Sequence, residues 1–169
     1  MRKQIALFLA VAVALCMPMS AAAESTTISV VVPEPTYQMT IPADIQMEYK
    51  AASCTLGAPS IVQSSGFSES AYLTVTVSHS GVFSSQSTST TIPFAFYARA
   101  DSGLFEWASG SSLVYDRMED GSVSALGHTA DGWAPSAFEL QISDGAWAAA
   151  NPGTYTATVT FTAQLAFSA

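Results

Sequence analysis

Positive charge is scarce in this sequence of 169 residues: five Lys and Arg stand against 13 Asp and Glu, for a formal net charge of −8. The imbalance sharpens beyond residue 23, where all the acids lie but only Lys50, Arg99 and Arg117 of the bases remain. Such a surface repels phosphate backbones and anionic headgroups, which argues against nucleic acid or an acidic membrane surface as a partner. Cysteine is nearly absent, with Cys16 and Cys54 alone. If Cys16 leaves with a leader, no intramolecular disulfide can form, and Cys54 reads as a small buried hydrophobe with no histidine near it in sequence. Also missing are a Gly-x-Ser-x-Gly elbow, a Gly-rich phosphate loop, and any zinc-type spacing around His79 or His128. These absences argue against an enzyme. Beyond the first 17 residues no apolar run approaches the length of a membrane helix.

Met1-Arg2-Lys3 supplies a positive n-region, Ile5 to Met17 an apolar core and Ala21-Ala22-Ala23 a small-residue cleavage site before Glu24. This reads as a secretory signal peptide over residues 1–23, too short in its apolar part for a membrane span. Leu15 stands before Cys16 where a lipidated cysteine requires a small residue, which argues against a lipoprotein. The expected organisation is a 24–35 extension ending in the Pro33-Glu34-Pro35 hinge, then one domain over 36–169.

From Tyr155 to Phe167 every second residue is apolar, with threonine or Gln164 between them as far as Leu165. Period two puts one face on a core and the other in water, and threonine suits a pleated surface. Burying Tyr155, Val159, Phe161, Leu165 and Phe167 is expected to contribute roughly 1.5–3 kcal/mol each before entropy is subtracted. Similar alternation marks Leu73 to Val77, Ile92 to Ala98 and Phe138 to Ile142, and shorter stretches fall at Thr26 to Val32, Tyr37 to Ile41, Ile45 to Tyr49, Leu104 to Trp107 and Leu113 to Tyr115. Ser78 to Thr91 reads as a loop or hairpin around Val82 and Phe83, and Ala146 to Ala150 as one helical turn. Residues 116–133, with their acids and glycines, read as the most exposed excursion. About eight or nine short antiparallel strands with turn signals between them predict an all-β fold, a single β-sandwich.

The segments Thr36-Tyr37-Gln38-Met39-Thr40-Ile41-Pro42 and Pro152 to Thr162 resemble a diffuse group of bacterial secreted surface proteins. There, a Tyr-x-x-x-Ile-Pro opening strand and a Gly-Thr-Tyr closing strand bracket an immunoglobulin-like sandwich. The closing strand is also similar to the end of fimbrial and spore-coat-type subunits. The resemblance implies an adhesin-like or structural module at the cell envelope, whose partners are an envelope protein, a glycan or further copies of itself. No Leu-Pro-x-Thr-Gly sorting signal is present.

Three sets of residues could carry such a role. Ile28, Val30 and Val32 alternate on a segment that could add to the sheet edge of a neighbour, or simply form the first strand of its own sandwich. Trp107, Tyr115, Trp133 and Trp147 could make a loop-end platform on which sugar rings stack, although tryptophans in sandwiches more often fill cores. Asp116, Glu119 and Asp120, with Asp131 nearby, offer hard oxygen ligands that suit calcium, although acids in such a segment are usually just solvated. No other cofactor is expected.

Overall fold

The computed structural model describes Val30 and residues 34–168. Of the two units into which the chain divides, Met1–Val32 and Pro33–Ala169, the second carries every element described below. In order these are β1 (Thr36–Thr40), β2 (Ser53–Gly57), β3 (Ser60–Ser65), β4 (Ala71–His79), β5 (Val82–Ser85), β6 (Thr91–Pro93), β7 (Ala95–Ala100), β8 (Gly103–Glu106), β9 (Ser111–Tyr115), β10 (Ala137–Gln141), α1 (Asp144–Ala149), β11 (Tyr155–Thr156) and β12 (Val159–Phe167). They form four antiparallel sheets, ordered β1-β3, β2-β10-β7-β8, β11-β5-β6 and β12-β4-β9, and none closes on itself. The fold is all-β, as the alternation predicts, and the arrangement is consistent with a β-sandwich. Among the described residues, no helix is long and apolar enough to cross a membrane.

Period two dictates the core. On β4, Leu73, Val75 and Val77 have no solvent exposure, while Tyr72, Thr74 and Thr76 between them stay half-buried. On β7 and β10, Phe96, Ala98, Phe138 and Leu140 are buried, and Phe96 and Phe138 stack with centroids 5.3 Å apart. Phe138 also faces Phe161 of β12 at 6.3 Å, so the two larger sheets share one apolar layer. α1 begins at Ser143, whose hydroxyl accepts from the Ala146 amide, and it buries Ala146 while the Trp147 indole donates to the Ala51 carbonyl.

Two alternating stretches each serve two sheets. β6 and β7 are separated by Phe94 alone, and β11 and β12 by Ala157-Thr158. The stretch from Tyr155 to Phe167 therefore pairs first with β5 and then, after a break, with β4.

The structure corrects several expectations. Ile45 to Tyr49 forms no strand: residues 41–48 are irregular and a turn at Tyr49-Lys50 follows, with Lys50 at φ 63°. Ile41, Ile45 and Tyr49 are exposed, so their alternation finds no sheet, and only Met47 packs on the core. Conversely, Ser53–Gly57 is a strand despite its weak pattern, because β10 supplies five register partners. Residues 116–133 are no free excursion. Bridges Arg117↔Val123, Ser60↔Leu126 and Val114↔His128 fold them back onto β3 and β9, burying Val123, Gly127 and Thr129. Of the Thr26–Val32 stretch only Val30 is described; it has no regular structure and is 81% exposed, whereas Ile28 and Val32 lie outside the described residues.

Candidate functional site

The outer edge of β12 stands apart from the other surfaces. β12 pairs with β4 over nine consecutive positions, from Val159↔His79 to Phe167↔Ala71, and at the other side of β4 lies β9. Among the described residues nothing pairs with the far side of β12. Nine residues at about 3.3 Å each give an edge roughly 30 Å long, along which backbone N–H and C=O groups point outward at alternate positions. Edge strands are normally blunted by lysine, proline or a bulge. Val-Thr-Phe-Thr-Ala-Gln-Leu-Ala-Phe holds no charge and no proline, and its register with β4 runs without a shift.

The core-facing side of the same strand is incompletely covered. Val159, Phe161 and Ala163 are half-buried and pack on the core. Further along, exposure rises to 40% at Leu165 and 61% at Phe167, although their rung partners Leu73 and Ala71 are at 0% and 2%. Full burial of Leu165 and Phe167, expected from the alternation, is therefore not found: the layer that covers β4 and the first part of β12 stops short of the last residues of β12. This site was missed in sequence because its inward pattern is indistinguishable from that of a buried strand. The one available signal was the unbroken absence of charge and proline across nine residues of an edge.

The four aromatic residues expected to form a platform do not share a surface. Tyr115 is fully buried; its hydroxyl donates to the Pro59 carbonyl at 2.8 Å, and burial pushes its pKa up to about 12. Trp107 is 5% exposed, with its ring edge-on to Phe138 at 5.2 Å, so it belongs to the core. Trp147 packs edge-on against Tyr49 at 5.6 Å. Trp133 and Trp147 are both half-buried beside an exposed ring, Trp147 beside Tyr49 and Trp133 beside Phe105, against which it tilts at 4.8 Å.

The acids are likewise dispersed. Asp116 accepts from His128 Nε2 at 2.8 Å, and Asp120 accepts from the Ser122 amide and hydroxyl at 3.0 and 2.6 Å. Those two bonds hold the Asp120 carboxyl below its usual range. Among the described residues no group of three His, Cys, Asp or Glu side chains comes together, so Asp116, Glu119 and Asp120 are not gathered into one carboxylate cluster.

Two other polar features are structural in geometry. Glu139 sits in the middle of β10 with its side chain 6% exposed, accepting from Gln141 Nε2 at 2.9 Å and from the Arg99 guanidinium. The Gln141 amide first, and Arg99 with it, hold the carboxyl below its ordinary value. Cys54 is a free, half-buried thiol beside the core, pushed up by burial and by the Glu139 carboxylate, which makes it a poor nucleophile. A shallow groove of about 630 Å³, lined by Ser53, Phe94, Tyr97, Gln141 and Ser143 among others, runs beside it without a charged group.

No protein-family model, curated protein or solved structure matches this chain.

Proposed function

We propose that this protein is a non-catalytic, secreted surface module for adhesion or structural assembly at the bacterial cell envelope, built on an immunoglobulin-like β-sandwich and joined to its partners by strand addition. The observation that carries this reading is the edge of β12: nine residues with no charge and no proline, paired on one side, with Leu165 and Phe167 open on the core face. An added strand would gain main-chain hydrogen bonds from the edge and specificity from the apolar face. Cleavage near Ala23 would release the chain from Glu24, and its excess of acid would keep it soluble despite the open edge.

The deciding experiment is the molar mass of the Glu24–Ala169 chain in solution, by size exclusion with light scattering over a concentration series under reducing conditions. An oligomer or an open-ended ladder supports assembly. A monomer at every concentration removes self-assembly and leaves adhesion to a different envelope component.

The Phe105–Trp133 pair favours a second reading, a small carbohydrate-binding module, because a partly exposed ring pair can stack on a sugar face. Saturable glycan binding that disappears in Trp133→Ala with the fold retained would move the assignment there.

A further inference from the structure

We propose that the open side of β12 is filled by the Thr26–Val32 segment of a second copy, so that copies join head to tail. The inference rests on the reading of the protein as an assembly module and names the partner of that same edge.

The geometry of the site restricts what can fill it. Along β12 the backbone offers outward donors and acceptors at alternate positions, and only an extended segment satisfies both. A helix laid on the edge would leave them unpaired. On the core side, Leu73 and Ala71 are buried while Leu165 and Phe167 across the same rungs are exposed, so apolar surface remains open beside the edge. The occupant must therefore carry apolar residues at period two on one face. It must also be uncharged, because a charge placed against Leu165 and Phe167 would be desolvated with no partner on β12.

Each described strand already has a partner in its own sheet on at least one side, whereas Thr26–Val32 belongs to none of the described strands. Thr26-Thr27-Ile28-Ser29-Val30-Val31-Val32 has no charge, is rich in β-branched residues, and sets Ile28, Val30 and Val32 on one face. Seven residues reach roughly 23 Å, which fits within the roughly 30 Å of β12. Val30 is 81% exposed, leaving its side chain available to another molecule. Pro33 and Pro35 lack amide donors, so the ladder cannot run on from the donor into β1. Donor and acceptor are different surfaces of the chain, and such heterologous contacts extend into open-ended chains unless the rotation happens to close a ring.

Complementation between two variants of the Glu24–Ala169 chain tests this. Val30→Asp disables the donor, and Leu165→Asp the acceptor; Phe167→Asp, at a more exposed position, serves if Leu165→Asp fails to fold. By light scattering under reducing conditions, each variant alone is expected to be monomeric where the unaltered chain is oligomeric. Mixed in equal amounts they are expected to give a one-to-one dimer and nothing longer, since only one donor and one acceptor remain intact. Oligomers that survive both single substitutions would overturn the proposed contact while leaving assembly itself standing. A mixture that stays monomeric would overturn it as well, and a monomeric unaltered chain would remove the contact and the assembly reading together.

Discussion

At the scale of single residues, packing around Tyr115 sets the tightest constraint. Gly127 lies against its ring: a Cβ there would stand 2.6 Å from Tyr115 Cε2, 2.7 Å from Cζ and 2.9 Å from Leu113 Cβ. The ring cannot retreat, because its hydroxyl is tied to Pro59 and both neighbours are buried. Gly127→Ala is therefore expected to destabilise the fold by about 1–3 kcal/mol, read as a lower denaturant midpoint with the slope unchanged. Next to it, His128 bridges the chain by Nδ1 to the Thr129 carbonyl at 2.7 Å and by Nε2 to Asp116. The Thr129 carbonyl first, and then the Asp116 carboxylate, raise its pKa above the ordinary 6.5. The folded state thus binds a proton more tightly than the unfolded chain does. Its contribution is complete below about pH 6.5 and is lost as pH rises through the raised value. The gap in thermal midpoint between the unaltered chain and His128→Gln is expected to be wider near about pH 5.5 than near about pH 8.5.

Among the elements, what could be read in advance follows from whether a pattern met a surface to bury it. Leu73 to Val77 and Phe138 to Ile142 were legible because alternation there coincides with real core faces, at β4 and β10. Ile45 to Tyr49 alternates equally well, yet no neighbouring strand receives it, and it stays irregular. Cys54 and Leu56 show the reverse, a poor pattern made into a strand by a partner more than eighty positions away in sequence at β10. Periodicity records which face a segment could bury; pairing decides whether it does. The same limit hid the candidate site. In sequence Leu165 and Phe167 look like Val159 and Phe161, and only their place along β12, beyond the reach of the covering layer, tells them apart. The aromatic platform failed for a related reason: the sequence places Trp107 and Tyr115 near loops, but the fold turns both rings inward.

On the scale of the whole molecule, the sheet β12-β4-β9 joins parts of the chain that are far apart. Thr76 and Ser112, hydrogen-bonded through their hydroxyls, are 36 positions apart, and Thr74 and Gln164 are 90 apart. Pairings of that length must overcome loop closure before they return any contact energy. Refolding of the Glu24–Ala169 chain is therefore expected in milliseconds to seconds rather than microseconds, a range that stopped-flow fluorescence of its tryptophans can follow. The order of the strands has a further consequence for a polypeptide made from its N-terminus. β4, the central strand of this sheet, is synthesised long before β12, so one of its two flanks stays bare through most of elongation. A chain in that condition cannot lock its core early, and it remains threadable until the nine residues that finish the sheet have emerged.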